Sequence, residues 1–251
     1  MDLAGAVVVV TGASRGLGAA AAAELGRRGA VVVAVGRDAA ALRAPGCGSV
    51  CVADLRDPAA AETIVAHALT THGRLDAVVA NAGVGHAGDL AGMSPDRITE
   101  LIAVNLTAPI LLTRAALSPM RAARSGSLLY VTSIAGAVGV PGENVYSATK
   151  AALESFADTL RAEVRADGIR VCTVLPGVVD TGFFVTRGRP YDRRFPRPMP
   201  AARVANKIVD ALVKGPDRVF VPRWLAGPAA LRASAPRLYR TLERRFDAPS
   251  G

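Results

Sequence analysis

The 251-residue sequence predicts a single α/β domain built on a doubly wound parallel sheet of seven strands flanked by helices. Three observations predict it. Continuous β-branched runs at 7–10 and 31–35 are typical of strands buried on both faces of a parallel sheet. Such runs alternate with alanine-rich segments of helical length. A glycine-rich turn at 12–18 joins the first strand to the first helix, as a βαβ unit requires.

The other elements continue this alternation along the chain. Further strands are predicted at 49–53, 76–80, 127–132, 169–175 and 219–221. Helices are predicted up to about 28 and at 39–43, 58–72, 94 to about 114, 144 to about 166 and 200–214. Pro45 and Gly46 predict a turn before the third strand. With no internal repeat or linker, residues 1–222 are predicted to form one domain, followed by a C-terminal extension at 223–251.

Composition and charge exclude several classes of protein. No apolar run reaches the roughly 18 residues that span a bilayer, and the N-terminus lacks the basic start of a signal peptide, so we expect a cytoplasmic protein. Three cysteines, Cys47, Cys51 and Cys172, argue against a disulfide framework, and no metal site is predicted. The net charge of +9 is concentrated in 180–203 and 223–251, which disfavours nucleic-acid binding by the whole domain.

The glycine turn predicts a nucleotide site. Gly12, Gly16 and Gly18 let the backbone turn tightly and approach a pyrophosphate at the N-terminus of the first helix. The turn lacks the Gly-Lys-Ser/Thr ending of a P-loop, so the sequence does not predict an NTPase.

The end of the second strand favours NADP(H) over NAD(H). An acidic residue at this place binds the ribose 2′-hydroxyl of NAD, whereas here the strand ends in Gly36 and Arg37. Arg37 and Arg15 are expected to hold a 2′-phosphate through charge-assisted hydrogen bonds. Asp38 is expected to point away from Arg37. The alternative is that both arginines are only solvated.

Tyr146 and Lys150 form a Tyr-x-x-x-Lys pair, with Ser133 upstream. Residues four apart lie one turn from each other on the same face of a helix. A lysine cation favours the phenolate and is expected to lower the pKa of Tyr146. A serine hydroxyl beside them can hold a substrate oxygen, which makes the three a proton-transfer device for a carbonyl or an alcohol. The pair alone is a weak signal.

The motifs taken in order resemble the short-chain dehydrogenase/reductase family, in its single-domain branch with a Rossmann fold. The resemblance covers about residues 5–222, and its motifs are the turn at 11–18, Asn81-Ala82-Gly83, Asn105, Ser133, Tyr146-x-x-x-Lys150 and Pro176-Gly177. One departure is Ala80, where the family often has a second asparagine.

The resemblance implies a role for each catalytic residue. Tyr146 would be the general acid/base, and Ser133 would orient the substrate oxygen. Lys150 would bind the nicotinamide ribose and lower the pKa of Tyr146. Asn105 would hold a water molecule that links Lys150 to solvent.

The resemblance also implies a set of cofactor-binding residues. Asp54 and Leu55 would contact the adenine, and Val179 would bond the carboxamide through its backbone, assisted by Thr181. The full set is Gly12, Ser14, Arg15, Gly16, Leu17, Gly18, Arg37, Asp54, Leu55, Asn81, Ala82, Gly83, Tyr146, Lys150, Pro176, Gly177, Val179 and Thr181.

Two segments fall outside the motifs. The substrate loop, residues 180–200, offers Phe183, Phe184, Tyr191 and Phe195 as apolar walls among arginines, which would suit an acyl thioester or another anionic, lipid-like substrate. The alternative is a solvated flap. In the extension, apolar residues recur every four positions among arginines and predict a basic amphipathic helix. It would pack on a neighbouring subunit, cover the active site or lie on an anionic membrane surface.

The sequence therefore predicts an NADP(H)-dependent oxidoreductase that interconverts a ketone or aldehyde and an alcohol. A 3-oxoacyl-thioester reductase is the more specific alternative, and a non-catalytic NADP-binding sensor or scaffold is the alternative of another class. An epimerase or dehydratase would need a larger substrate domain than this length allows. The resemblance implies a homodimer or homotetramer formed through the helices that carry Asn105 and Tyr146.

Overall fold

A computed structural model describes residues 1–43, 47–192 and 195–246, with the side chains of 243–246 outside that description. The turn predicted at Pro45 and Gly46 therefore lies outside the described residues.

The nine described strands form two sheets. They are β1 (Val7–Thr11), β2 (Val31–Gly36), β3 (Cys47–Val52), β4 (Ala77–Ala80), β5 (Gly126–Val131), β6 (Ile169–Pro176), β7 (Val179–Asp180), β8 (Met199–Pro200) and β9 (Arg218–Val221). Seven of them pair in parallel in the order β3-β2-β1-β4-β5-β6-β9, which confirms the doubly wound sheet. The two-residue strands β7 and β8 pair separately.

The β-branched runs of the sequence are central strands of the sheet, and they are buried on both faces. Every residue of β1 is buried, and Val8 pairs with Val32 on one side and Ala77 on the other. Strand order reverses between β1 and β4, and such a switch point opens a crevice at the carboxyl ends of the strands. Gly12 and Asn81 follow those two strands, so the fold brings both predicted motifs to the crevice.

The helices cover both faces of the sheet. They are α1 (Gly16–Arg27), α2 (Ala39–Leu42), α3 (Ala60–His72), α4 (Pro95–Ile102), α5 (Ala108–Ala122), α6 (Ile134–Val138), α7 (Asn144–Val164), α8 (Phe183–Thr186), α9 (Ala201–Lys214), α10 (Ala226–Ser234) and α11 (Pro236–Phe246). One core joins the sheet to α3, α5 and α7 through Ile64, Leu112 and Leu153. The other joins it to α1 and α9 through Leu25 and Ile208.

A π-helical turn, Ala103–Thr107, joins α4 to α5, and α5 continues eight residues beyond the predicted end near Arg114. The combined helix, Pro95–Ala122, is the one described helix whose length and mean hydropathy, 1.5, meet the requirements of a membrane span. Half of its most apolar stretch is buried, and Leu112, Ala116 and Met120 belong to the core under the sheet. Core helices also meet these requirements.

The extension forms two helices, α10 and α11, rather than the one predicted. It joins the body of the domain through Leu225, which is buried and lies where a side chain at Gly177 would sit. Farther on, the Arg232 guanidinium lies about 3.5 Å from the position a Cβ would take at Gly139, after α6. These contacts place α10 over the carboxyl edge of the sheet.

Candidate active site

Tyr146 and Lys150 lie one turn apart on α7, and both side chains are buried. Gly142, with φ 78°, turns the chain just before α7 begins at Asn144. The Lys150 Nζ donates a hydrogen bond to the Val131 carbonyl at the end of β5, at 3.0 Å. The sheet thereby fixes the lysine beside the tyrosine, as the four-residue spacing predicted.

Ser133 comes two residues after β5 and caps α6, with its Oγ accepting a hydrogen bond from the Ala135 amide at 3.1 Å. Its side chain also interacts with Tyr146 and lowers the pKa of the phenol. Because β5 and α7 meet at the carboxyl edge of the sheet, two hydroxyls and an ammonium group converge there, and these are the groups that a carbonyl–alcohol interconversion requires.

The electrostatic balance at Tyr146 differs from the prediction. Burial raises the pKa of Tyr146 to about 12, and the hydrogen bond from Ser133 opposes this only in part. Lys150 was expected to lower the pKa, but its amine is directed to the Val131 carbonyl and lies 5.9 Å from the centre of the tyrosine ring. Burial lowers the pKa of Lys150 itself to about 8. In this enclosed site desolvation dominates and favours the neutral form of both side chains.

Glu154, one turn beyond Lys150 on α7, is a buried carboxylate that the sequence analysis did not single out. It accepts a hydrogen bond from Thr132 at 2.5 Å and pairs with Arg218 of β9 at 2.9 Å. Its charge raises the pKa of Lys150, which opposes the effect of burial. The four-residue spacing of Tyr146, Lys150 and Glu154 could have indicated that Glu154 lies on the same face of the helix as the other two.

Asn105 lies in the π-helical turn and is fully buried. Its side chain binds both backbone groups of Val84. Oδ1 accepts a hydrogen bond from the Val84 N–H, and Nδ2 donates one to the Val84 carbonyl, each at 2.8 Å. A Cβ added at Gly83 would lie 3.3 Å from Asn105 Oδ1 and 3.5 Å from Lys150 Nζ. Gly83 therefore borders both Asn105 and Lys150.

The glycine turn is a cradle that side chains would fill. Gly12 and Gly16 have positive φ values of 68° and 58°, which favour glycine. A Cβ at Gly18 would lie 2.1 Å from the Gly12 carbonyl oxygen. Asn81 Nδ2 donates to the Thr11 carbonyl at 3.0 Å, which ties the Asn-Ala-Gly motif to this turn.

The N-terminus of α1 suits an anionic group. Its first turn has no acidic residue, and no side chain caps it. The unpaired amides and the helix dipole attract negative charge. With the switch point of the sheet directly beside it, this cradle fits the pyrophosphate of a dinucleotide.

The ribose and adenine side presents the predicted residues at the same edge. Arg15 and Arg37 are both exposed. The Asp38 carboxylate accepts hydrogen bonds from the Ala40 and Ala41 amides and so caps the start of α2. An adjacent apolar cavity is lined in part by Thr11, Leu55, Ala82 and Val104.

Asp54, predicted at the adenine, is engaged with Arg56. The two side chains form an ion pair at 2.5 Å. Hydrogen bonding from Arg56 is the largest effect that lowers the pKa of Asp54, to about 2, and the charge of Arg37 adds to it. Arg37 therefore acts electrostatically on this corner of the site.

The residues predicted to border the nicotinamide also lie near the glycine turn. The Gly177 amide donates to the Val221 carbonyl at 2.9 Å, which fixes the end of β6. Val179 pairs with Met199. The Thr181 side chain lies 3.4 Å from the position of a Cβ at Gly16, so the two ends of the predicted cofactor site converge.

Part of the predicted substrate loop forms a lid over Tyr146, and sequence reasoning missed the ion pair behind it. The ring of Phe183, in α8, lies 5.5 Å from the Tyr146 ring, centre to centre. Behind it Arg187 forms an ion pair with Glu143, and these side chains are only 8% and 11% exposed. Arg187 also lies over the Phe184 ring at 4.5 Å. The position of Glu143, three residues before Tyr146, was a weak signal that its side chain lies near the site. Its pairing with Arg187, 44 residues away, had no signal in the sequence.

Comparison with known proteins agrees with this arrangement. The family model described as short chain dehydrogenase matches residues 6–191. The chain is similar to Dehydrogenase/reductase SDR family member 7B of Rattus norvegicus, with 32% identity over 259 residues that cover 94% of this chain and 80% of that protein. It is also similar to 3-oxoacyl-[acyl-carrier-protein] reductase FabG of Pseudomonas aeruginosa, with 37% identity over 202 residues, covering 77% of this chain and 81% of that protein.

Among solved structures, a short chain dehydrogenase/reductase from Burkholderia phymatum in complex with NAD superposes with a TM-score of 0.85. The superposition covers 95% of this chain and 96% of that chain. Identity between the two is 23%, so this likeness shows a shared fold.

Proposed function

Because the chain belongs to the short chain dehydrogenase family of oxidoreductases, we propose that it is an NADP(H)-dependent enzyme that interconverts a ketone or aldehyde and an alcohol. One observation carries the proposal: Tyr146, Ser133 and Lys150 converge beside the glycine cradle of α1. A proton donor and a dinucleotide cradle at one edge of a sheet are what hydride transfer to a carbonyl requires.

Each side chain has a task in the proposed reaction. When bound, the nicotinamide supplies or accepts the hydride. Ser133 holds the substrate oxygen, and Tyr146 gives its proton to that oxygen in reduction or takes it in oxidation. Lys150 holds the ribose, and Asn105 holds a water molecule that returns the proton from solvent.

The protonation state of Tyr146 in the cofactor-free chain suits its role as the proton donor in reduction. With its pKa raised to about 12, the phenol keeps its proton at neutral pH and can donate it to an alkoxide forming on the substrate. Oxidation would need the phenolate, which burial disfavours.

The preference for NADP(H) rests on Arg15, Gly36 and Arg37. Two exposed guanidinium groups at this edge can hold a 2′-phosphate, and Gly36 puts no carboxylate where it would repel one. Asp38 is occupied in capping α2. A structural relative was solved with NAD, so NAD(H) is the alternative that must be measured.

An apolar or acyl-like substrate is supported by the lid. Phe183, Phe184 and Tyr191 form a chain of ring contacts that begins at Tyr146. A similar protein is named as a 3-oxoacyl-[acyl-carrier-protein] reductase. A 3-oxoacyl thioester is therefore the specific substrate class that we place first.

Assembly as a homodimer or homotetramer through α5 and α7 belongs to the same proposal. Ile102, at the end of α4, is an exposed large apolar residue, and Leu106 and Ile110 follow it at four-residue spacing, partly buried. An apolar stripe of this kind on a core helix suits packing against a second copy.

The test is turnover of a carbonyl panel, from small ketones to 3-oxoacyl thioesters, followed by loss of reduced-nicotinamide absorbance with NADPH and, separately, with NADH. We expect turnover of apolar or acyl-like ketones with a preference for NADPH. Tight NADPH binding without turnover of any panel member would favour the sensor or scaffold, and neither binding nor turnover would contradict both.

A further inference from the structure

Four large apolar side chains are exposed in the substrate loop and the extension. They are Val185, Phe195, Trp224 and Leu238, with exposed fractions of 69%, 70%, 47% and 52%. We call these residues, with the exposed arginines Arg197, Arg223, Arg232, Arg237 and Arg240 of the same segments, the docking face. Apolar side chains gathered at this exposure mark a surface that meets a partner.

Contacts join the two segments of the docking face. The rings of Phe195 and Trp224 are stacked, with centres 5.4 Å apart and planes at 23°. In the extension, the Arg232 guanidinium lies 5.8 Å from the centre of the Tyr239 ring and near Gly139, after α6. Val185 lies in α8 with Phe183, whose ring contacts Tyr146, so the docking face borders the lid over Tyr146.

The docking face is also strongly basic. Residues 180–203 contain six arginines and two aspartates, and 223–251 contain six arginines and two acidic residues, so each segment has a net charge of +4. Arg197, Arg223, Arg237 and Arg240 are exposed. Arg193, Arg194, Arg244 and Arg245 belong to this count, but their side chains lie outside the described part of the chain.

We propose that the docking face binds the surface of an anionic phospholipid membrane. Exposed aromatic and aliphatic side chains between arginines suit the boundary of headgroups and acyl chains, where Trp is favoured. An anionic surface attracts each arginine near it with an energy that corresponds to roughly fivefold in affinity. An acidic protein would satisfy the arginines but would not require Phe195, Trp224 and Leu238 to stand this far into solvent.

Docking in this orientation places the entrance to Tyr146 at the membrane surface, so a lipid-like carbonyl compound would enter the site from the bilayer. This consequence rests on the proposed function, whereas docking itself does not. A Tyr146→Phe variant, inactive under the proposed mechanism, should therefore dock as the wild type does, and this separates failure of docking from failure of the catalytic proposal.

Trp224 makes docking directly measurable, because it is the only tryptophan of the chain. We expect its fluorescence to shift to shorter wavelength when phosphatidylcholine vesicles containing phosphatidylglycerol are added, and to be quenched by brominated acyl chains in them. Vesicles of phosphatidylcholine alone should bind at least tenfold more weakly, and salt should weaken binding to the anionic vesicles.

Cosedimentation with the same vesicles tests the residues. Phe195→Ser with Leu238→Ser, and separately Arg223→Gln with Arg237→Gln and Arg240→Gln, should each weaken binding at least tenfold. Leu90→Ser and Arg165→Gln are matched controls, since both residues are exposed and lie outside the docking face, and they should bind as the wild type does. All the substituted residues are exposed, and circular dichroism verifies that each variant is folded.

Three results would overturn the proposal. One is the absence of binding to anionic vesicles, and another is equal binding by the docking-face variants and the controls. The third is a Trp224 already shielded from an aqueous quencher in lipid-free protein, which would show that a second copy covers the face. Tight binding of an acidic carrier protein together with no vesicle binding would assign the face to a protein partner instead.

Discussion

At the scale of single residues, the candidate site is governed by desolvation. Tyr146 and Lys150 are both buried, and Lys150 Nζ donates one of its hydrogen bonds to the Val131 carbonyl of the sheet. The tyrosine therefore keeps its proton at neutral pH, and the lysine is close to losing its own.

The pKa of Lys150 leads to a prediction about stability. Burial lowers it to about 8 in the folded protein, from 10.5 in an unfolded chain. Between these pH values the unfolded chain binds a proton that the folded protein does not, so the free energy of unfolding should rise with pH, by up to about 3 kcal/mol. Tyr146 acts with the opposite sign only above about pH 10.

Urea unfolding of the cofactor-free protein from pH 7 to pH 10 checks this prediction. Lys150→Met should lack the part of the rise that lies between about pH 8 and 10, so the difference between wild type and variant should grow with pH. Other groups titrate equally in both proteins and cancel. Parallel curves for the two proteins would show that the pKa of Lys150 is not depressed.

Arg37 should decide between the two nicotinamide cofactors. Arg37→Ala removes a charge-assisted hydrogen bond to the 2′-phosphate, so the Kd for NADPH should rise about tenfold or more, while the Kd for NADH should stay within about twofold. Arg27→Ala, at the far end of α1, is the control. Equal weakening of both cofactors in the Arg37 variant would mean that Arg37 does not read the phosphate.

The sequence was sufficient to predict that Ser133, Tyr146 and Lys150 lie close together, because residues that follow parallel strands are brought to one edge of the sheet. It was not sufficient to predict how deeply these residues are buried or how burial shifts their pKa values. Burial raises the pKa of Tyr146 and the Ser133 side chain opposes this in part, and the burial depends on packing around the ring, where Phe183 lies 5.5 Å away. The ion pair of Arg187 and Glu143 joins segments 44 residues apart, and no local pattern marks it.

At the scale of elements, the ion pair of Arg187 and Glu143 is expected to hold the lid, α8, closed over Tyr146. Glu143→Gln leaves the Arg187 charge buried without its partner, and removing one member of a buried pair typically costs about 3–5 kcal/mol. We expect this cost to appear as opening of α8, measured as faster hydrogen exchange at 183–192, with exchange in β1 and β5 unchanged.

Asp192→Asn is the matched control for the lid. It breaks the ion pair with Arg189, which is exposed on both sides, and such pairs contribute about 1 kcal/mol or less. Hydrogen exchange of the lid should be unchanged in this variant. If both variants exchange alike, the buried ion pair does not hold the lid closed.

The sequence predicted elements well where one signal acted alone. The buried strands followed from β-branched runs, and their ends were right within about two residues in the described chain. The end of α5 was wrong because Arg114 interrupts the apolar pattern, although the core continues to Met120 on the other side of the helix. The extension divides into two helices at Pro236, since a residue before proline disfavours helical geometry.

At the scale of the whole molecule, the proposed assembly can be tested through Ile102. Ile102→Glu puts a charge on the apolar stripe at the end of α4, so the mass measured by light scattering should fall from that of an oligomer toward that of a monomer. Val52→Glu, at another exposed apolar residue, should leave the mass unchanged. A wild-type protein that is monomeric at all concentrations would contradict the assembly proposal.

The central claim is that Tyr146 transfers the proton while the cradle at α1 holds the dinucleotide, and the Tyr146→Phe variant tests it most directly. With the best ketone of the panel, kcat should fall by about 10²–10⁴, because the ring remains and only the acidic hydroxyl is lost. NADPH titration, followed by cofactor fluorescence, should give a Kd within about threefold of wild type, less than the 1.4 kcal/mol of a tenfold change. Unchanged turnover in this variant would contradict the account.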